Sequence, residues 1–292
     1  MKKRIIALVL LLCLLLCISG CGPYVGSAPF SIRFCDVGQG DCALIQCDGH
    51  YMLIDGGPTS AGDTVYQMLE KSRVRHLDIL VASHTHADHI GGLAQALRYA
   101  TDIDLALCNT NQGSTETFRK FNRALKRNGS SLTVPHVGDQ YQLGSATVEV
   151  VDASNKNNND SLVLLITYGQ TRFLFTGDIE ETAQTRISDR FENEADAPFP
   201  IDLIKMPHHG SYENTLYRFL RTFMPRYAVI SVGKDNPYGH PHRETMELLS
   251  SKTWSPTVYR TDELGDILVI SDGVNLSIDT PDRWQQIFGL AA

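Results

Sequence analysis

The stretch His84-Thr85-His86-Ala87-Asp88-His89 decides how the rest of this 292-residue sequence is interpreted. It places four side chains with nitrogen or oxygen donors within six residues, directly after the apolar segment 77–82, which has the composition of a buried strand. Because a loop at the end of a strand can direct several side chains into one cavity, the pattern predicts a metal site. Imidazole and carboxylate donors together suit zinc, manganese or iron.

Hydrophobic periodicity on both sides of this stretch predicts a mixed α/β chain. The segments 31–35, 42–46 and 51–54 have strand patterns separated by turn residues, and a helical period begins at Asp63. Helices are predicted at 90–99 and 115–127. Later strands are predicted at 146–151, 162–168, 172–175, 201–205, 228–232, 267–270 and 276–278. Later helices are predicted at 179–191, 215–222 and 243–250. Strands in two batches with interleaved helices predict two sheets packed together with helices outside.

The N-terminus has the pattern of a bacterial lipoprotein signal. A basic start, Lys2 to Arg4, precedes the apolar segment 5–18, which at fourteen residues is short for a membrane span of roughly twenty. The segment ends in Ser19-Gly20-Cys21, which resembles a lipobox. We therefore predict a signal peptide at 1–20, a lipid on Cys21, a tether at 21–29 and a hydrolase domain at 30–292. An uncleaved anchor is the alternative, and either places the body outside the cytoplasm.

Charge and cysteine content limit the function classes. The chain has 26 Lys and Arg against 33 Asp and Glu, a net charge of −7, and removal of 1–20 with its three basic residues leaves 23 against 33, or −10. Such an acidic body is a poor general binder of nucleic acid, and no protein partner is predicted. Four cysteines remain for one possible disulfide, without a CxxC pair: Cys35, Cys42, Cys47 and Cys108.

Five further motifs accompany the histidine-rich stretch in a fixed order. They are 34–41 (FCDVGQGD), 54–57 (IDGG), 174–178 (LFTGD), 207–211 (PHHGS) and 238–242 (YGHPH). With them, residues 30–280 resemble the metallo-β-lactamase superfamily, and within it the extracellular hydrolase domain of ComEC-type competence proteins. The resemblance implies a four-layer αββα sandwich, in which two packed mixed sheets carry helices on their outer faces.

The resemblance also implies a site for two divalent metal ions, zinc or manganese. It assigns the first metal to His84 and His86, the second to Asp88, His89 and His208, and the bridging position to Asp178. Asp88 is also expected to take part in catalysis. The carboxylates expected to orient ligands from behind are those of Asp55, Asp36 and Asp41.

The later histidines leave alternatives open. Adjacent side chains on an extended segment point to opposite faces, so one of His208 and His209 is expected to reach the metals, and His208 is the predicted ligand. His209 either faces the substrate as a catalytic residue or packs beneath the site. His240 resembles the late histidine that family members direct at a substrate oxyanion, and it is a predicted catalytic residue. His136 is predicted to have no role.

One segment departs from the pattern of members with a full two-metal site. These usually supply a histidine before the bridging aspartate, where this chain has Asn157-Asn158-Asn159-Asp160. Asp160 or an asparagine carbonyl is a candidate oxygen ligand, which would shift the metal preference toward manganese or magnesium. The alternative is that 155–160 is only a polar loop.

The predicted activity is hydrolysis by a metal-activated hydroxide, and two metals suit the in-line displacement at a phosphodiester. With the resemblance to ComEC-type domains, which implies a nuclease and DNA as substrate, this favours a membrane-anchored phosphodiesterase or nuclease. Hydrolysis of a lactam, lactone or other small ester is the second hypothesis. A surface protein that binds a metal or ligand without turnover is the third.

Overall fold

The computed structural model describes residues 28–156, 160–194, 199–212, 217–251 and 254–280. The predicted signal peptide, Cys21 and most of the tether therefore lie outside the described residues, as do 157–159 and 281–292. Within the described part of the chain, no helix combines the length and apolar character needed to cross a membrane.

The first half of the described chain builds one sheet and the helices that cover it. Its elements are β1 (Phe30–Phe34), β2 (Ala43–Cys47), β3 (His50–Ile54), a 3₁₀ turn (Thr59–Ala61), α1 (Gly62–Ser72), β4 (His76–Ala82), α2 (Ala87–Ile90), α3 (Leu93–Ala96), β5 (Asp102–Cys108), α4 (Glu116–Arg127) and β6 (Leu132–Thr133). Strands β1 to β3 pair antiparallel, and β3 to β6 pair parallel.

The second half repeats this plan. Its elements are β7 (Gln140–Leu143), β8 (Ala146–Asp152), β9 (Val163–Tyr168), β10 (Thr171–Phe175), α5 (Glu181–Glu194), β11 (Leu203–Lys205), a 3₁₀ turn (Pro207–Gly210), α6 (Tyr217–Phe223), β12 (Tyr227–Ile230), α7 (Arg243–Leu249), β13 (Thr257–Arg260), α8 (Thr261–Leu264), β14 (Ile267–Ser271) and β15 (Leu276–Asp279). Strands β7 to β10 pair antiparallel and β10 to β13 parallel, whereas β14 and β15 return to the first sheet beside β1.

Three apolar cores hold these layers together. Side chains such as Ile32, Val148 and Phe173 fill the space between the two sheets. A second core lies between the first sheet and its helices, and a third lies between the second sheet and its helices. Burial on both faces explains the nearly continuous apolar strands of each sheet. The predicted α/β architecture, with two mixed sheets and helices on the outer faces, is confirmed.

Several local predictions differ from the structure. The single helix predicted at 90–99 is divided into α2 and α3, which Gly91 and Gly92 separate. Strand β5 was not predicted, because Asp102 and Asp104 interrupt its apolar pattern on the exposed side. The four described cysteines of the body are buried free thiols, so the possible disulfide is absent from the described residues.

Candidate metal centre

The carboxyl ends of the parallel strands bring together the side chains that the sequence singled out. His84 and His86 follow β4, Asp178 follows β10, and His208 and His209 follow β11. Because the strands of each parallel region run in the same direction, their carboxyl ends lie along one edge of the sheet, and the loops beyond them form a common site.

The ligand atoms gather in two clusters that share one carboxylate. Asp88, His89, Asp178 and His209 each offer one ligand atom, and these atoms lie within 4.8 Å of one another; we call this the four-residue cluster. His84 and His86 form the three-residue cluster with the same Asp178. A single carboxylate between two ligand sets is the arrangement expected of a bridging ligand.

His89 is held in the four-residue cluster from behind. Its ring is fully buried, and Nδ1 lies 2.8 Å from Asp55 Oδ2, so Nδ1 carries the proton that Asp55 accepts. The opposite nitrogen, Nε2, lies 3.1 Å from Asp178 Oδ2. Asp55 also accepts from the backbone amide and hydroxyl of Ser83, which fixes the carboxylate itself. A carboxylate that orients a histidine in this way is a usual support of a metal ligand.

His209 is oriented by a different set of partners. Its Nδ1 donates to the carbonyl of Ser231 over 2.9 Å, and Asp41 Oδ1 lies 3.3 Å from the same nitrogen. This leaves Nε2 facing Asp88 Oδ2 at 3.3 Å and Asp178 Oδ2 at 3.7 Å. Like His89, His209 therefore presents Nε2 to the shared carboxylate.

His84 is oriented through neutral partners of its Nδ1 atom. Its Nδ1 lies 3.1 Å from the hydroxyl of Ser83 and 3.3 Å from that of Ser161, and its Nε2 lies 3.9 Å from Asp178 Oδ2. Ser161 Oγ also accepts from the backbone amide of Asp178. One serine thus fixes two members of the three-residue cluster.

Charge differs between the two clusters. Burial alone would lower the pKa of His89, but the carboxylates of Asp178 and Asp55 outweigh it and hold that pKa well above its usual value. Burial likewise opposes the charge on His209, yet Asp178 and Asp41 raise its pKa to about 9. In contrast, burial and the charge of His89 hold the pKa of His84 well below its usual value.

Several buried ligand atoms have no hydrogen-bond partner. They are Nε2 of His84, Nε2 of His89 and Oδ1 of Asp178. Buried polar atoms in proteins are nearly always satisfied, and each exception calls for an explanation. Divalent cations in the two clusters would satisfy these atoms, since they are the nitrogen and oxygen donors that zinc and manganese accept. The residues present therefore fit a metal centre.

The pair His208-His209 does not follow the geometry assumed from the sequence. The segment Pro207–Gly210 is a tight turn, with φ of +46° at His208 and +55° at His209, so the two side chains do not alternate as on an extended strand. His208 Nε2 lies 3.8 Å from Asp178 Oδ2, but 27% of its side chain is exposed. His209, with 1% exposed, stands in the four-residue cluster where the sequence placed His208.

Two acidic residues do not take the expected positions. Asp160 is buried, but its Oδ2 accepts from the Ser154 hydroxyl and the Lys156 amide, and it joins neither cluster. Asp36 is exposed, and its carboxylate accepts from the amide of Gly38 within its own turn. The carboxylate of Asp36 therefore shapes a loop and does not orient a ligand.

His240 lies at the rim of the site. Its ring centroid is 5.7 Å from that of His208 and 6.3 Å from that of His209, and its Nδ1 lies 3.5 Å from Gln39 Nε2. Burial and the charge of His209 lower the pKa of His240 to about 4, so its ring is neutral at neutral pH. His136, in contrast, has 91% of its side chain exposed and lies apart from both clusters.

Sequence reasoning missed Lys205. This side chain is buried at the end of β11, and its Nζ forms an ion pair with Asp41 Oδ2 and lies 3.4 Å from the carbonyl of Gly177. Lys205 holds the pKa of Asp41 below its usual value against the effect of burial. A lysine at the end of a buried strand was the signal that could have found it, because an unpaired buried charge is costly.

Backbone contacts fix the loops that carry these residues. The amide of Gly56 donates to the carbonyl of His89, and that of Gly92 donates to the carbonyl of Gly57. A Cβ atom at Gly92 would lie 2.1 Å from the carbonyl oxygen of Gly56, closer than real contacts allow. The loop after β3 and the loop around α2 are therefore in direct backbone contact.

Comparisons with known proteins show which family this chain matches. Residues 35–234 match the family model described as the metallo-beta-lactamase superfamily. The chain is 28% identical over 264 residues to ComE operon protein 3 of Bacillus subtilis, covering 82% of this chain and 33% of that protein. It is 28% identical over 219 residues to Recombination protein 2 of Haemophilus influenzae, covering 73% and 26%. The chain thus spans a third or less of these relatives' length.

A solved structure has the same fold. The metallo-beta-lactamase fold protein YhfI of Bacillus subtilis matches with a TM-score of 0.50 and 14% identity, over 79% of this chain and 96% of that one. At this identity the likeness concerns the fold alone.

Proposed function

This chain belongs to the metallo-β-lactamase superfamily, and from that premise we propose that it is a two-metal phosphodiesterase that cleaves nucleic acid or its fragments at the cell envelope. The observation that carries the proposal is the pair of ligand clusters joined at Asp178. Two adjacent metals suit the in-line displacement at a phosphodiester, because they stabilise both the attacking and the leaving oxygen.

The proposed ligands follow from the two clusters. Asp88, His89 and His209 would hold one ion, His84 and His86 would hold the other, and Asp178 would bridge them. We propose zinc or manganese in these positions. His209 replaces His208 in this set, because its Nε2 faces both Asp88 and Asp178.

The chain's own groups would prepare the reaction. When bound, the metals supply Lewis acidity, which activates water and neutralises charge on the phosphoryl oxygens. Asp88 is the carboxylate of the four-residue cluster with an exposed fraction, 35% of its side chain, so its open edge can accept a hydrogen bond from the attacking water and orient it. His240, neutral at the rim, can donate a hydrogen bond to a phosphoryl oxygen without the cost of burying another charge.

The relatives support the choice of substrate. One of them is named a recombination protein, and recombination is a process that handles DNA. The net charge of the whole chain, −7, argues for a substrate contacted chiefly at the metal centre, since an acidic surface repels long polyanions. Short nucleic acids and nucleotide esters meet both conditions.

We also propose that the protein is anchored outside the cytoplasm by lipid on Cys21, a residue outside the described ranges. Metabolic labelling with palmitate should mark the wild-type chain, whereas Cys21→Ser should remain unlabelled. Equal labelling of both chains would contradict the anchor.

The activity can be tested on the full chain purified in a mild detergent. The protein is stripped of metal with a chelator, reloaded with zinc or manganese, and assayed on bis(p-nitrophenyl) phosphate, single- and double-stranded DNA and a chromogenic β-lactam. We expect metal-dependent hydrolysis of at least one phosphodiester. Cleavage of the lactam alone would overturn the proposal, and tight metal uptake without any turnover would favour a binding protein.

A further inference from the structure

A cleft of about 510 Å³ opens beside the three-residue cluster. One side of it is formed by residues 84–87, which include the metal-ligand candidates His84 and His86. Another side is formed by the segment after β5, from Asn109 to the first turn of α4. A group bound here would therefore lie directly beside the proposed reaction centre.

The size of the cleft suits one small unit of a substrate. Sites that hold molecules of drug size have volumes of about 300–1,000 Å³, and a single nucleoside is a molecule of this size. The interior of a nucleic-acid strand continues in both directions with one charge at every phosphate. The cleft thus fits one nucleotide unit of such a strand better than several consecutive nucleotides.

The polar groups of the described lining suit an uncharged occupant. Its polar side chains are mainly amides and hydroxyls, among them Asn109, Thr110, Gln112, Thr117 and Asn155. Among the described lining residues there is no lysine or arginine, and the one carboxylate is that of Asp160. Amides and hydroxyls both donate and accept hydrogen bonds, which suits sugar hydroxyls and base edges rather than additional phosphates.

The wall after β5 is fixed before any ligand arrives. The side-chain amide of Asn109 is buried and donates to the backbone carbonyls of Ser154 and Asp160, so it ties this wall to Asp160, another lining residue. Thr110 Oγ1 accepts a hydrogen bond from the backbone N–H of Gln112. Thr115 Oγ1 caps α4 by accepting from the backbone N–H of Phe118. Because these side chains are already ordered, a ligand that binds against this wall causes little loss of conformational entropy.

We propose that this cleft holds one uncharged nucleoside next to the scissile phosphate. The enzyme then prefers mononucleotide esters and strand ends to the interior of a long strand. This inference rests on the proposed function and adds its substrate class. Gln112 and Thr117 are the specificity residues, because Gln112 is exposed and Thr117 half-buried in the cleft wall.

The first test compares two chromogenic esters with the metal-loaded full chain. The p-nitrophenyl ester of thymidine 5′-monophosphate should have a kcat/KM at least about tenfold above that of bis(p-nitrophenyl) phosphate. In Gln112→Ala and Thr117→Val this advantage should fall about three- to tenfold, mainly through KM, as expected for the loss of one hydrogen bond. Gln170→Ala is the matched control, because Gln170 lies in the turn between β9 and β10, at the opposite end of β10 from Asp178.

A second test measures binding without catalysis. Thymidine should bind the metal-free full chain in a saturation-transfer NMR experiment, and Gln112→Ala should weaken its binding whereas Gln170→Ala should not. Equal binding by the three proteins would overturn the cleft as the nucleoside site, whatever their hydrolytic activity.

A third test distinguishes two sources of the bound nucleoside, the end of a DNA strand and a free nucleotide ester. It also distinguishes failure of this inference from failure of the proposed function. Linear single-stranded DNA should be degraded at least about tenfold faster than circular DNA of the same sequence; cleavage of the thymidine ester alone would identify free nucleotide esters as the substrate. Equal rates on circular and linear DNA, or equal kcat/KM for the two chromogenic esters, would overturn the inference and leave phosphodiesterase activity standing. No hydrolysis of any phosphodiester would instead overturn the proposed function.

Discussion

The two ligand clusters of this protein share Asp178 but differ in almost every other respect. The four-residue cluster is braced by charged groups, with Asp55 behind His89 and Asp41 behind His209. The three-residue cluster is braced by serine hydroxyls, has one ligand fewer, and borders the cleft. A set with more ligands and charged support should hold its ion more tightly, whereas an incomplete set leaves a coordination position for substrate or water.

From this difference we propose separate tasks for the two halves of one site. The cluster with charged support would hold a metal ion, and the cluster with neutral support would meet the substrate. Four experiments test this division, in order of decreasing expected effect.

The largest effect is expected from the shared carboxylate. Asp178→Asn removes a charge from both clusters, so it should lower the metal content of the reloaded protein from two ions to fewer than one and reduce phosphodiester hydrolysis by at least about a thousandfold. Metal content is measured by plasma mass spectrometry. Asp189→Asn, on the exposed face of α5, is the control. Retention of both ions in Asp178→Asn would show that the clusters do not share a ligand.

Next in size is the contrast between the adjacent histidines. His209→Ala removes a ligand of the four-residue cluster and should cost one bound ion and about a hundredfold in kcat. His208→Ala should keep both ions and lose less than about tenfold, because His208 is outside both clusters. Circular dichroism and thermal unfolding verify that both variants fold. The reverse order of metal loss would restore His208 as the ligand.

A smaller effect is expected from the carboxylate behind His89. Asp55→Asn leaves all ligands in place but weakens the support of one of them, and should lower the metal affinity of the four-residue cluster by about 10- to 100-fold. The three-residue cluster should be unaffected. Asp78→Asn is a matched control, since Asp78 lies on β4 and accepts from His50 at the surface. Equal losses in the two variants would assign the effect to general destabilisation.

The smallest effect is the change in metal affinity expected for each pH unit. Because the pKa of His209 is raised to about 9, its imidazole is protonated at neutral pH, and metal must displace that proton. The affinity of the four-residue cluster should therefore rise by up to about tenfold per pH unit for each displaced proton, until the pH passes about 9. The three-residue cluster should change little, since His84 is already neutral. Titration with a competing chromogenic chelator measures both, and a flat profile for the four-residue cluster would contradict the assignment.

The sequence was sufficient for the architecture and for the position of the site. Apolar strands buried on both faces leave a clear periodicity, and the histidine-rich stretch directly after β4 marked the strand end at which the clusters form. The predicted signal peptide and lipid anchor stay predictions, because they lie outside the described residues.

What the sequence could not supply depends on backbone conformation and on distant neighbours. The choice between His208 and His209 depends on two successive residues with positive φ, which periodicity does not encode. Asp36 and Asp41 lie in one acidic loop, and the contacts of Asp41 with Lys205 and His209, which are distant in sequence, show that Asp41 is the one turned inward. Asp160 was a reasonable ligand by composition, but its carboxylate accepts hydrogen bonds within its own loop.

The contact between Gly92 and Gly56 has a consequence for how this protein can be inactivated. Neither residue has a side chain, yet a single methyl group at Gly92 would push apart the loops that carry Asp55 and His89. Substitution at a position with no chemical function can thus abolish the site as surely as loss of a ligand. Surveys of inactive variants should accordingly include these two glycine positions alongside the histidines and aspartates.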